Sequence, residues 1–415
     1  MSDTVKPAGK KSEEETPPTG VQLTSLDPEF QRDPAPVLER LRRLDPVHHD
    51  TVLNRYVLTR NADIDALLWD RSLSVDPRKA SPGTFEANFI SASREGEQSM
   101  LLSDPPYHTR LRSLVIKAFS AKSITAMQPR VQEIVDGLLE AMDGPGVCDL
   151  IESFAGPLPT IVIAEMLGVD PADRADFKRW SDLAVMNFNP LLTPVERQEV
   201  AEAGAAFDAY FRAAITERKE RPRDDLVTHL VTAEEKGDRL TEDEIVRMCG
   251  LLLAAGNVTT TDLIGNGMLA LLRNPAELAK LQADPSLIKN AVEEMLRYDP
   301  PVTQTGRTPL SDMEIDGVTI AAGQSITPML AAANRDPAAH PEPDRFDITR
   351  TDIQHLSFGG GVHFCVGAPL ARMEAQTAVG ALVKRFPAIR LAESPLEWRR
   401  VPGFRGLQRL PVYLR

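Results

Sequence analysis

The sequence predicts a mainly α-helical fold with a small β region, built as one large domain. Three observations carry this. Apolar residues recur at three- and four-residue spacing over several long segments. Strand-like runs are few and short. No shift of composition marks a boundary along the 415 residues, although length alone favours two or three domains.

Residues 1–22 are rich in Lys, Ser, Glu, Thr and Pro and read as a disordered polar tail, leaving 23–415 as the folded domain. Residues 55–58 (RYVL) form a first short strand. In 123–142, Ile124, Met127, Val131, Ile134, Val135, Leu138 and Leu139 keep helical spacing, and Pro129 marks a kink or a second start. Residues 159–167 form an apolar helix opened by proline and closed by Gly168. Residues 194–219 are amphipathic. The longest helix spans 241–273, with Thr241 as N-cap and Glu242 and Glu244 in its first turn. Two shorter helices, 275–284 and 285–298, each begin at proline. Residues 313–320 read as a hairpin turning at Asp316-Gly317. Residues 324–329 and 407–414 are further strands. Between them, 334–361 is a Pro- and Asp-rich loop whose length marks it as functional, followed by a helix over 368–386.

Composition excludes several function classes. The net charge of −13 argues against a nucleic-acid binder, which needs a basic face. Three cysteines, none in a CxxC pair, exclude a disulfide scaffold and the usual structural zinc site. The tail lacks the apolar stretch of a signal peptide, and the apolar run 248–258 is short for a bilayer span of about 20 residues. The expectation is a soluble, cytoplasmic protein without a membrane anchor.

The strongest chemical signal is Phe358-Gly359-Gly360-Gly361-Val362-His363-Phe364-Cys365-Val366-Gly367. The glycines let the backbone fold closely around one sulfur. The helix that follows puts Cys365 at or just before a helix N-terminus, where free N–H groups favour thiolate. A thiolate presented in this way is a good axial ligand for haem iron. Cys148 and Cys249 lack such a setting and read as core packing.

The pattern F-x-x-G-x-H-x-C-x-G, followed by Leu370-Ala371, resembles the haem-binding loop of the haem-thiolate monooxygenases, the cytochrome P-450 family. Further segments resemble that family in the same order along about 23–415. The resemblance implies a triangular-prism fold holding haem b, with Cys365 as iron ligand and Phe358, Gly361 and Ala255 against the cofactor. Glu294-Met295-Leu296-Arg297 matches the family's ExxR helix; its i, i+3 pair shares one face. The resemblance puts a third, structural partner at Arg345. His108 and Arg112, one helical turn apart, fall with Arg307 and His363 on the positions that hold the haem propionates. Ala255-Gly256-Asn257-Val258-Thr259-Thr260 resembles the oxygen-handling A-G-x-(acid)-T-T, in which the Thr259 hydroxyl bonds back to the Ala255 carbonyl and opens a polar groove. Val258 departs from the pattern by replacing the usual acid. That leaves Asp262, four residues on, to act through water.

By family position, Leu251, Ala254, Ala255, Thr259, Val302, Thr303 and Phe404 line the substrate cavity, with Phe85 and Phe89 as weaker candidates. The implied reaction is hydroxylation or epoxidation of a small apolar substrate with O2 and two electrons. Little chain follows Cys365, so no reductase domain is expected there. The electrons are then expected from a ferredoxin and an NAD(P)H-dependent ferredoxin reductase, docking on a basic patch of Arg110, Arg112, Lys117 and Arg372. A monomer is expected. Two alternatives stay open: a peroxide-driven, desaturating or coupling enzyme of the same chemistry, and a haem-containing ligand binder or sensor without turnover.

Overall fold

A computed structural model describes residues 16–89, 99–116, 119–142, 144, 146–188, 192–235 and 238–415. Its axis is the long helix Glu242–Arg273. The Thr241 hydroxyl accepts from the Glu244 amide while the Glu244 carboxylate accepts from the Thr241 amide, a reciprocal cap that fixes where the helix starts. Helices Pro157–Met166, Arg174–Ala184, Pro194–Glu220, Ile288–Tyr298 and Ala368–Arg385 all pack around it. Being surrounded, it is apolar on most sides. It is the one helix among the described residues long and apolar enough to cross a membrane, and 67% of its apolar window is buried inside the protein. It is therefore a core helix.

Helix Ala121–Ala141 runs through Pro129 without a second start. Residues 128–130 face solvent, so the proline ring sits on the helix surface rather than in the core. Residues 285–287 form a 3-10 turn, and the α-helix begins only at Ile288. The hairpin Met313–Ile315/Val318–Ile320 turns where expected, with Asp316 and Gly317 both at positive φ (52° and 76°).

A small sheet pairs Val47–Asp50 antiparallel with Arg55–Leu58, which pairs parallel with Ile326–Pro328. The C-terminal strand expected over 407–414 is two strands in different sheets. Leu407–Arg409 pairs with Glu397–Trp398, whereas Pro411–Tyr413 lies between Arg390–Leu391 and Val147–Asp149. The switch falls at Leu410, whose amide donates to Asp149 Oδ1 and whose carbonyl accepts from Leu150 N. The folded body also starts before position 23. Thr19 Oγ1 and Gly20 N both donate to Asp50 Oδ1, and Leu23 is fully buried. The polar composition of this segment conceals a tertiary anchor.

Candidate active site

The glycine loop and helix Ala368–Arg385 hold Cys365 two residues before the N-cap, Gly367. Its amide donates to the Phe358 carbonyl at 2.9 Å. Burial pushes the Cys365 thiol up, against the Gly367 and Ala368 N–H groups and the Arg112 and Arg372 guanidiniums, which pull it down. The glycines serve a close approach. Gly361 has φ +60°, and a Cβ there would lie 2.5 Å from the Leu68 carbonyl oxygen. The loop thus lies directly on the end of helix Asn61–Trp69. Phe358 is capped by the Arg372 guanidinium at 4.5 Å.

Beside this loop the structure gathers the four residues expected at the propionates. His108 and Arg112 share a face of helix Tyr107–Val115. The His108 and His363 rings lie 4.1 Å apart. Arg112 Nη2 donates to the Phe364 carbonyl at 2.7 Å. Arg307 is buried, and burial lowers its pKa to about 10 despite Glu86 and Asp104. Its Nη1 finds only the Thr305 hydroxyl and the Gly306 carbonyl. Burial, then His108 and Arg307, take His363 down to about 3. Among the described residues, His108 Nδ1 is buried without a partner. A buried guanidinium and an orphaned imidazole nitrogen beside a glycine-cradled cysteine fit a haem with two propionates.

In the long helix, the Thr259 hydroxyl donates to the Ala255 carbonyl at 2.6 Å, as the sequence predicts. Leu251, Ala254, Ala255, Gly256 and Thr259 are the partly open positions between buried neighbours. The spacing of Leu251, Ala254, Ala255 and Thr259 puts them on one face, the face that neighbouring elements leave uncovered. Asn257 is turned away: its amide donates to Ser181 Oγ and its oxygen accepts from Thr160 Oγ1 at 3.0 Å. Val258 is buried. Asp262 pairs with Arg399 and abuts Gly406, while its Oδ2 has no partner among the described residues.

Val302 and Phe404 form a backbone bridge and are both half-buried. Thr303 is buried between the half-buried Val302 and Gln304, so extended alternation points it away from the face that Val302 and Phe404 share. Phe85 lies under the Arg55 guanidinium at 4.5 Å. Lys117 and the Phe89 side chain lie outside the described residues.

Two further expectations are corrected. Glu294 and Arg297 form a fully buried pair at 2.7 Å, but the third side chain is Arg350, not Arg345. Arg350 Nε lies 3.4 Å from Glu294 Oε2. Arg345 gives Arg297 only its carbonyl, at 3.2 Å, and its exposed guanidinium pairs with Glu342 and Asp347. The chain turns between the two arginines, and only the later one reaches the buried carboxylate. Two of the four residues of the basic patch are also neutralised. Arg110 pairs with Asp238 and Glu244, Arg372 pairs with Glu293, and Arg112 binds a carbonyl.

Sequence reasoning missed Glu86 and Glu374. Burial raises Glu86 to about 7 against the pull of Arg55 and Arg307, and raises Glu374 to about 8. Neither stands in a motif; only burial distinguishes them.

The cytochrome P450 family model matches residues 174–395. The chain belongs to that family, and it is a haem-thiolate monooxygenase, carrying haem with a cysteine thiolate as axial ligand. It is 42% identical to cytochrome P450 107B1 of Saccharopolyspora erythraea over 94% of this chain and 97% of that protein. It is equally identical to cytochrome P450 monooxygenase PikC of Streptomyces venezuelae, over 95% of this chain and 94% of that one. Among solved structures, the Bacillus subtilis bacillaene polyketide synthase cytochrome P450 PksS superposes with a TM-score of 0.85 at 38% identity, covering 94% of this chain and 98% of that one.

Proposed function

We propose that the protein inserts one oxygen atom of O2 into an apolar organic substrate, hydroxylating or epoxidising it, with two electrons from a ferredoxin served by an NAD(P)H-dependent ferredoxin reductase. The observation that carries this is the placement of Cys365 under backbone N–H groups beside a buried, anion-seeking cluster. Bound haem supplies the dioxygen chemistry. Cys365 holds the iron, and His108, Arg112, Arg307 and His363 hold the propionates. Thr259 Oγ1 orders a water and passes its proton. Leu251, Ala254, Val302 and Phe404 exclude bulk water and orient the substrate by apolar contact. The name of PksS, tied to a polyketide synthase, supports a polyketide-like substrate. We place the enzyme in the cytoplasm as a monomer.

The test is the reduced carbonyl spectrum. The holoprotein shows the red-shifted band of thiolate ligation. Cys365→Ser abolishes it, and Cys148→Ser and Cys249→Ser keep it. A normal band in the Cys365 variant overturns the assignment. Substrate class is read from high-spin shifts on adding polyketide lactones, steroids or fatty acids. One observation favours a second reading: Val258 offers no proton where the family's acid stands. Hydrogen peroxide brings its own protons and electrons, so turnover with peroxide but not with ferredoxin identifies a peroxide-driven enzyme.

A further inference from the structure

We propose that Glu293 and Arg372 are positioning residues that set how much negative charge Cys365 gives to the haem iron, and with it the iron's reduction potential. This rests on Cys365 as the iron ligand. It assigns control of the step in which the ferric iron gains one electron, the cysteine staying thiolate throughout.

Three segments meet behind the cysteine loop. Glu293 stands on helix Ile288–Tyr298 and Arg372 on helix Ala368–Arg385. Arg372 Nε donates to Glu293 Oε1 at 2.7 Å and its Nη2 to Oε2 at 2.8 Å, a two-pronged pair of fixed geometry. His355 Nε2 lies 3.1 Å from Glu293 Oε2, and the Ser357 amide lies 3.2 Å from His355 Nδ1. A backbone amide only donates, so Nδ1 accepts, and Nε2 carries the hydrogen and donates to Glu293. Burial pushes the Glu293 carboxyl up, but Arg372 and His355 outweigh it and hold it at about 2, so it is an anion at neutral pH.

The pair aims one cation at the iron ligand's support. The held guanidinium lies 4.5 Å from the centre of the Phe358 ring, and the His355 ring lies 5.7 Å from it. The Phe358 carbonyl accepts from the Cys365 amide. Burial raises the Cys365 thiol; the Gly367 and Ala368 N–H groups oppose this, as do the charges of Arg112 and Arg372. Arg112 is assigned to the propionates. Arg372 has a carboxylate of its own, which offsets part of its field. A cation near the sulfur holds negative charge there and withholds it from the iron, and the carboxylate beside that cation returns some of it. A plain clamp between two helices is the weaker account. The side chains of Arg372 and Glu293 are 31% and 25% exposed, where an ion pair adds little stability. A clamp also has no need to lay the guanidinium on the ring beside the cysteine.

The experiment is a redox titration of the substrate-free holoprotein with small-molecule mediators, so that no carrier protein takes part. Glu293→Gln removes the anion and keeps the side chain's shape. It favours the ferrous state by about threefold or more, a rise of about 30 mV or more. Arg372→Gln removes the cation and favours the ferric state by about the same factor. The double variant lies between the two. Arg212→Gln, breaking an exposed pair with Asp243, leaves the potential unchanged. Opposite signs separate charge from structure, because loosening the loop moves both single variants the same way. Any other pattern, two shifts of one sign or a single variant that does not move, overturns the proposal. Failure of the Cys365 assignment looks different: the wild type itself then lacks the thiolate carbonyl band, whatever stands at 293 and 372.

Discussion

Arg350 and Arg345 lie five residues apart, and the structure gives them opposite roles. Arg350 has a side chain 13% exposed, and its Nε stands 3.4 Å from Glu294 Oε2. Its Nη1 donates to the Pro341 carbonyl at 2.7 Å, and its Nη2 to those of Glu342 and Arg345 at 3.0 and 3.1 Å. Arg350→Ala removes these charged hydrogen bonds and leaves Glu294 with Arg297 and the Asp347 amide. Hydrogen bonds to charged groups contribute roughly 1.5–3 kcal/mol each, non-additively, and breaking a buried pair costs about 3–5 kcal/mol. Arg297 still neutralises Glu294, so the expected loss is about 3–4 kcal/mol. Arg345 is 54% exposed and uses its carbonyl, which alanine keeps. Arg345→Ala should therefore cost less than about 1 kcal/mol. Arg350→Lys should fall between, since a point charge replaces a fork. Urea unfolding of the holoprotein, followed by far-UV circular dichroism and haem absorbance, reads all three. Equal losses at the two positions, or a larger one at Arg345, would refute the reasoning.

Two other outcomes follow from single side chains. Thr259→Ala removes the 2.6 Å bond to the Ala255 carbonyl and the hydroxyl that orders water, so peroxide released per NADH consumed should rise severalfold while the carbonyl band stays; unchanged coupling removes Thr259 from proton handling. Burial alone raises the Glu374 carboxyl from 4.5 to about 8, so above pH 4.5 the unfolded chain releases a proton that the folded chain retains, and stability falls as pH rises. Glu374→Gln should abolish that fall, with a gain near zero at pH 4.5 that grows to at most about 5 kcal/mol by pH 8, read from urea midpoints across that range.

Legibility followed the range of the interactions. The 313–320 hairpin and the capped start of the long helix were readable because their determinants lie within a few residues of each other. The Thr259 back-bond is equally local, joining positions four apart. The cysteine loop was readable as a dense run, although the purpose of its glycines was not: Gly361 is small because Leu68, nearly three hundred positions earlier, lies against it. Long-range partners account for the misses. Nothing near Arg345 says that the chain turns before Arg350. Nothing near Arg110 announces Asp238 and Glu244, so exposed charge was expected where paired charge stands. Residues 407–414 look like one strand because the carboxylate that divides them, Asp149, comes from a distant segment.

With Val258 unable to carry a proton, the remaining groups on the long helix differ in what they can do. Asn257 is committed to Ser181 and Thr160 and has no acidic proton. Asp262 lies three positions beyond Thr259, within the reach of neighbours on one helix face. Its carboxyl is raised to about 7 by burial, against the pull of Arg399 and with a small push from Asp299. Among the described residues its Oδ2 is unpartnered, and the Arg399 side chain that holds Oδ1 is 20% exposed. Protonated below about pH 7, Asp262 can donate through water toward Thr259 Oγ1; above it, the anion paired with Arg399 cannot. Product formed per NADH should therefore fall as pH rises through about 7 in the wild type. Asp262→Asn should lower coupling at pH 6 and flatten that dependence, leaving the carbonyl band intact. Val258→Asp in the Asp262→Asn background should restore part of the coupling by returning an acid one turn away. A pH profile that keeps its inflection in Asp262→Asn would show that the proton enters by another path.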